Sequence, residues 1–441
     1  MKSLEAEGDL QVSAAGQDSQ QQVLKKVSRR LLGFLFILFC FSYLDRINIS
    51  FAALSMNREL GLTATAFGLA NTAFYVGYVI FEVPSNLMLE RFGARRWLAR
   101  IMVTWGIAST LTLFAVGPNS LYLLRCLVGI AEAGFLPGVL LYMTYWFPRS
   151  YRARANSMLM IAMPITSAVG SIASGFILQM HGWLGLAGWQ WLFLLEGTPT
   201  ILLGFLTWKW LDDSPTHATW LSAREKDTLT MMLAEQPTPV QPLGWREAWR
   251  EMPTETVIAL SATYFCLVLS LNASATWTPQ IIKAIHPSST MIMIGMLSAI
   301  PAAFTVVTML LWSRRSDRRG ERRFHTIAPM LLAAIGCLLT GYTADPLLRM
   351  IGVIATAAGA FTAMSVFWTS PAAVLDVRTR ALGIAVISSS GILGSAVSPL
   401  IFGVLRDITK TFASGLAFTA AMLVVGALTF MRTRIDSRTE S

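Results

Sequence analysis

The 441-residue chain is 54% hydrophobic and only 14% charged, with a mean hydropathy of +0.55, whereas a soluble domain carries about 25% charged residues. That deficit, together with apolar runs near the ~20 residues that cross a bilayer as helix, excludes a set of soluble domains and indicates a polytopic membrane protein. A net charge of +10 would suggest nucleic-acid binding in a soluble chain, but the basic residues lie in short clusters between apolar blocks, so membrane topology accounts for them and no nucleic-acid partner is expected.

Residues 1–24 are polar and mixed in charge, without the basic-then-apolar order of a cleaved signal, and read as a disordered cytoplasmic tail. Apolar blocks follow at 31–55, 66–89, 97–117, 120–142, 155–178 and 190–211, making an N-terminal six-helix half over 25–211. A polar connection, 212–254, contains Ser222-Ala-Arg-Glu225, a capping-box pattern for a short helix on the membrane surface. Blocks at 256–278, 290–312, 325–343, 347–371, 381–404 and 412–431 make a C-terminal half over 255–432, ahead of a cytoplasmic tail, 433–441. The expected fold is an all-α membrane protein of twelve transmembrane helices.

Alternate connections differ sharply in charge. One side carries 27 Lys and Arg, among them Lys25, Lys26, Arg29, Arg30, Arg91, Arg95, Arg96 and the run Arg314 to Arg323; the other carries five, Arg58, Lys283, Arg349, Arg406 and Lys410. The positive-inside rule makes the rich side cytoplasmic, with both termini on it. Cys40, Cys126, Cys266 and Cys337 all lie in apolar blocks without a CxxC pair, and the four histidines are scattered, so neither a disulfide framework nor a metal site is expected. No phosphate-binding loop or nucleophile elbow is present, so the chain reads as a gradient-driven carrier with no cofactor and not as an enzyme.

The two halves repeat one another. Glu90-Arg-Phe-Gly-Ala-Arg-Arg96 follows the second helix and Asp317-Arg-Arg-Gly-Glu-Arg-Arg323 the eighth, both reading [DE]-R-x-G-x-R-R. Plain positive-inside charge explains the arginines but not the recurring acid and glycine. Repeated halves point to a transporter with its substrate site at midplane between them. Here the chain resembles the major facilitator superfamily, whose loop signature this motif matches, with Asn86 and Ser313 where the family usually has glycine. The resemblance implies that Glu90, Arg91, Asp317 and Arg318 gate the cytoplasmic ends of the helices without touching substrate.

Ionisable groups at bilayer depth cost at least ~2.5–3.5 kcal/mol on insertion scales and need a reason. Asp45 and Arg46 lie deep in the first helix, and Arg125 and Glu132 lie seven residues apart on one face of the fourth, about 10 Å from each other. The four could neutralise one another as structural ion pairs. Alternatively, two guanidinium forks can bind a carboxylate, and two carboxylates can take up protons, which suits an organic anion moved with protons.

Tyr43-Leu-Asp-Arg-Ile-Asn48, Arg125-Cys-Leu-Val-Gly-Ile-Ala-Glu-Ala-Gly-Phe-Leu-Pro-Gly138 and Tyr142-Met-Thr-Tyr-Trp-Phe-Pro148 carry a closer resemblance, to the anion:cation symporter family and within it to the branch of the 4-hydroxyphenylacetate permease and tartrate transporters. It implies that Arg46 and Arg125 bind the substrate carboxylate, that Glu132 and Asp45 couple protons, that Tyr78 is a site tyrosine, and that the protein is a monomer in the cell inner membrane. Tyr43 is an additional substrate-binding candidate, and Tyr264 and Trp368 are candidates for the opposite wall. The chain departs from sugar-acid members at Met163-Pro164, where they carry a glutamine, and at Ser388-Ser-Ser390, where the family shows asparagines. Losing those amides favours a less hydroxylated, aromatic monocarboxylate such as 4-hydroxyphenylacetate over tartrate or a sugar acid. An exporter of hydrophobic compounds and a membrane sensor or channel are the rival readings. The exporter has no need of paired intramembrane arginines, and the central connection is too short for a signalling domain.

Overall fold

The computed structural model describes residues 2–234, 245–376 and 378–433. Among them there are helices and turns but no strand. Twelve helical segments are long and apolar enough to cross a membrane. Spans 1 to 6 are Gln20–Glu59, Ala64–Phe92, Ala94–Phe114, Pro118–Trp146, Met158–Leu178 and Gly188–Trp210. Spans 7 to 12 are Thr254–Ile285, Met291–Arg319, Arg323–Tyr342, Pro346–Pro371, Leu382–Thr409 and Ala413–Arg432. Their outer faces carry large apolar side chains that no soluble surface would tolerate in such number, for example Val83 at 66%, Leu202 at 64% and Leu311 at 62% exposure.

Local chemistry sets the ends. Thr63 caps span 2 through the Ala66 N–H, at 3.0 Å, and Thr290 caps span 8 through the Met293 N–H, at 3.3 Å. Both spans run 29 residues and both lead into the repeated acidic-arginine motif, so the sequence repeat is a repeat of structure. The capping box of the central connection forms as expected: the Ser222 N–H donates to Glu225 at 2.8 Å, the Glu225 N–H donates back to the Ser222 hydroxyl at 3.3 Å, and the helix Ala223–Ala234 follows. Lys26 ties that helix to span 1 through Glu225 at 2.8 Å.

One correction concerns the N-terminus. The stretch 1–24, expected to be disordered, is helical from Lys2 and continuous with span 1. No proline interrupts it, and its Glu, Gln, Leu and Lys residues are good helix formers. Beyond Thr433, the C-terminal tail lies outside the described residues.

Among the described residues, the hydrogen bonds between the two sets of six helices gather toward one end. They come from residues 64–75 of span 2. The Ala64 and Thr65 N–H groups donate to the Asp407 carboxylate of span 11 at 3.1 and 2.7 Å, the Thr72 hydroxyl to the Ala396 carbonyl at 2.6 Å, and the Tyr75 hydroxyl to Asn272 of span 7 at 2.9 Å. Phe67 meets Trp277 edge-on at 5.3 Å, and Gly175 of span 5 faces Gly295 of span 8 backbone to backbone. All of this is at the end with few basic residues. Toward the arginine-rich end, span 2 turns outward-facing side chains such as Ile80 and Leu87 away from any partner, both about three-fifths exposed.

Candidate functional site

Span 4 is not one helix. It runs Pro118–Glu132, breaks, and resumes as Phe135–Trp146. Ala133 is extended and Gly134 has φ +84°, a conformation that favours glycine; an added Cβ there would also meet the Ser85 hydroxyl at 2.5 Å. The break falls immediately after Glu132. Broken helices at membrane depth are tolerated where they face protein or a cavity, and they are a common support for transporter sites. One turn earlier, Gly129 lets span 4 lie directly against the Phe74 backbone of span 2.

This close packing assembles the charges. Arg46 donates to Glu132 Oε1 from Nη2 at 2.8 Å and from Nε at 3.0 Å, and the Ser42 hydroxyl donates to the same oxygen at 3.3 Å. Glu132 is fully buried, whereas the Arg46 side chain keeps 29% of its surface open. Phe74 lies between the two guanidiniums, 5.7 Å from that of Arg46 and 5.1 Å from that of Arg125, and Tyr78 lies 5.3 Å from Arg46. Arg125 is 2% exposed, yet its Nε and Nη1 have no hydrogen-bond partner. A buried cation with two idle donors is costly unless something else fills them.

Asp45 faces elsewhere. It accepts from Asn48 Nδ2 at 3.0 Å, from Trp105 Nε1 at 2.9 Å and from the Ser109 hydroxyl, all inside the N-terminal half. Trp105 and Ser109 of span 3 carry no motif that would have announced them. Tyr43 lines a narrow cleft between the halves, with walls from spans 1, 5, 7, 8 and 10. Besides Tyr43, the cleft presents seven serine and threonine hydroxyls, Ser50, Ser167, Ser171, Ser274, Thr278, Ser298 and Thr305. Arg46 and Arg125 are not among its lining residues; Arg46 lies one turn from Tyr43 on span 1 and reaches Glu132 of span 4. Tyr264 and Trp368 pair with each other at 4.9 Å, and Tyr264 stacks on Phe367 at 5.2 Å, as a separate aromatic cluster of the C-terminal half.

The motif residues at the arginine-rich end stay within their own halves. Asp317 pairs with Arg322 of the same loop at 2.6 Å, Arg91 lies over Phe92, and Glu90 and Arg318 are exposed.

The chain matches the Major Facilitator Superfamily over residues 35–375 and 260–441. It is 42% identical to a putative tartrate transporter of Agrobacterium vitis, over 93% of this chain and 94% of that protein. It is 36% identical to a quinolone resistance transporter of Acinetobacter baumannii over 93% and 94%, and 30% identical to the inner membrane transport protein RhmT of Escherichia coli strain K12 over 94% and 96%. Among solved structures it resembles a bacterial homologue of the human lysosomal transporter Spinster, with a TM-score of 0.77 at 17% identity, covering 96% of this chain and 99% of that one. The fold, the repeated motif and these likenesses agree: the chain belongs to the major facilitator superfamily, in the neighbourhood of its tartrate-transporter branch, and is a lipid-embedded secondary transporter of small organic solutes.

Proposed function

We propose that the protein imports a small hydroxylated carboxylate, of the tartrate or sugar-acid class, together with protons across a cell inner membrane. The observation that carries this reading is Arg125, buried with two unpartnered donors beside the Arg46–Glu132 pair. A carboxylate is the ligand whose two oxygens match a guanidinium fork. The seven cleft hydroxyls and the 42% identity to a putative tartrate transporter favour a hydroxylated acid over the aromatic monocarboxylate that the missing amides suggested. Several of these hydroxyls donate to their own helix, as Ser171 does to Ser167, and still accept from a ligand hydroxyl. The twelve spans, the 27-to-5 charge bias and the inner-membrane relative support a multi-pass protein with both termini cytoplasmic. In that orientation the end tied by the first residues of span 2 is external.

Glu132 is the proton carrier. Substrate arriving on Arg125 partly neutralises the cation, which eases protonation of Glu132 and lets the loaded site cross between states near neutrality. Glu132→Gln should abolish accumulation driven by a pH gradient and keep substrate exchange, which needs no net proton movement. The test is uptake into proteoliposomes with tartrate and 4-hydroxyphenylacetate as competing acids. Proton-driven accumulation surviving in Glu132→Gln would remove the carrier assignment. Selective uptake of the aromatic acid would restore the aromatic reading, and drug efflux without acid uptake would favour the exporter.

A further inference from the structure

Span 3 turns a pair of arginines to the outside of the bundle, and the transport reading above does not use them. The span begins at Ala94, and Arg96 and Arg100 follow one turn apart on the same face, both exposed. That face continues with Ile107 and Leu111, at 44% and 42% exposure. It is therefore a lipid-facing surface, charged at the arginine-rich end and apolar beyond. Among the described residues, no ion pair reaches either guanidinium. Like charges one turn apart on a helix repel, so the pair calls for a counter-anion.

Arg100 is nevertheless held in place. Its guanidinium lies over the Trp97 ring, 4.5 Å from the centroid. That indole stacks on Phe92 at 5.7 Å and donates from Nε1 to the Ser85 hydroxyl at 3.0 Å. Stacking occupies the flat face of a guanidinium and leaves its in-plane N–H donors open. Positive-inside topology accounts for basic residues in the connections. It does not account for an arginine inside span 3, about 9 Å along the helix from Ala94 and laid on an indole.

Span 6 completes the surface. It packs antiparallel on span 3: a Cβ at Gly197 would meet Thr110, one at Gly204 would meet Val103, and Arg95 Nε donates to the Trp208 carbonyl at 2.6 Å. Beside this seam span 6 exposes Leu202, Phe205 and Lys209, at helical steps of three and four, together with Trp208. The two acids of the adjoining connection are engaged elsewhere. Asp212 accepts from Trp220 Nε1 and Asp213 from the Arg95 N–H, both at 2.9 Å.

We propose that this face binds an anionic phospholipid of the leaflet at the arginine-rich end. Arg96 and Arg100 donate to the headgroup phosphate, Lys209 adds a third positive charge, and the acyl chains lie along Ile107 and Phe205. Cations without a paired acid select a headgroup of net negative charge, such as phosphatidylglycerol, over a zwitterionic one. The orientation proposed above makes this the cytoplasmic leaflet; the site itself depends neither on that orientation nor on the substrate.

Native mass spectrometry of the purified transporter, equilibrated with equal amounts of phosphatidylglycerol and phosphatidylcholine, tests this. The wild type should retain phosphatidylglycerol in preference. A basic residue near an anionic surface contributes about fivefold to association, so Arg96→Gln with Arg100→Gln should lower that retention roughly thirtyfold. Arg100→Lys, which keeps the charge and loses the stacked fork, should give a partial loss, and Arg58→Gln at the opposite end none. Equal retention of the two lipids by the wild type would overturn the proposal, and this comparison needs no variant and stands even where the double substitution fails to fold. Wild-type retention in the double variant would overturn it as well. Displacement of the lipid by inorganic phosphate would show a site for free anions and overturn the lipid assignment.

Discussion

Asp45 and Arg46 are neighbours in sequence and partners of different helices. Consecutive residues on a helix point about 100° apart, so Arg46 reaches Glu132 of span 4 while Asp45 is taken by Trp105 and Ser109 of span 3. Ionisable groups are rare at membrane depth, so the sequence was enough to pick out all four charges of the cluster. It did not reveal the rotation of span 1, which decides who meets whom and turns Asp45, expected beside Glu132 as a proton-coupling acid, toward span 3. The same blindness led the missing amides at Met163 and Ser388 to count against a hydroxylated ligand: hydroxyls from four spans converge only after packing. The fork at Arg125 yields a sharp expectation. Arg125→Lys preserves the charge and removes the bidentate geometry. A charged hydrogen bond contributes about 1.5–3 kcal/mol, so substrate affinity should fall roughly 10- to 100-fold. Calorimetric titration checks it, and wild-type affinity in the lysine variant would show that the fork does not hold the carboxylate. Loss of the folded protein instead would mark Arg125 as a structural ion-pair member.

Element ends carry the second layer of control. The twelve apolar blocks matched the observed spans closely because bilayer thickness dictates their length, whereas the contacts that tie spans together depend on single side chains with no repeat to announce them. Asp407 is the clearest. At the C-terminal end of span 11 it accepts from the first N–H groups of span 2, where the helix dipole also favours an anion. Asp407→Asn keeps the shape and removes the charge, at a cost of about 0.3–1 kcal/mol to the closed end. A cysteine placed at Ala396, opposite Thr72, should then react faster with a membrane-impermeant thiol reagent in the variant than in its parent, and an unchanged rate would show that the carboxylate does not hold this end shut. A milder tie joins span 1 to the helix Ala223–Ala234. The Lys26 ammonium, helped by the Ser222 N–H, holds the Glu225 carboxyl below the ordinary carboxylate range. A depressed folded-state value means that the tie stabilises above the unfolded value near 4.3 and is lost as pH falls through the lower, folded one. Amide exchange in residues 223–234 should therefore accelerate on acidification below about pH 4, corrected for intrinsic rates. It should accelerate with added salt as well, since the pair is exposed. Lys26→Met should erase both dependences.

For the molecule as a whole, the described ties between the two six-helix sets lie toward the end with few basic residues, and the repeated acidic-arginine motifs sit at the opposite end. Glu90 is exposed and Asp317 is paired only with its own loop, so neither restrains the halves in this state. For the cycle to proceed, the end sealed by Asp407, Thr72 and Tyr75 must part while the arginine-rich end closes, bringing the two motif loops toward the opposite half. Their acids then have cations within reach that they lack here. Exposed pairs of this sort contribute about 0.2–1 kcal/mol each, which shifts an equilibrium between two states by roughly 1.4- to 5-fold. Glu90→Gln or Asp317→Asn should accordingly lower the population closed at the arginine-rich end and slow turnover by a few-fold. Neither lies near Arg125 or the cleft hydroxyls, so the ranking of competing acids should stay that of the wild type. Initial uptake rates in proteoliposomes, measured beside competition curves for a panel of acids, separate the two effects. A variant that reordered the acids while transporting at the wild-type rate would show that the motif acids act on substrate selection and not on closure. Combining both substitutions should slow turnover by about the product of the single effects if each motif closes its own half independently; a smaller joint effect would mean that the two loops close against each other.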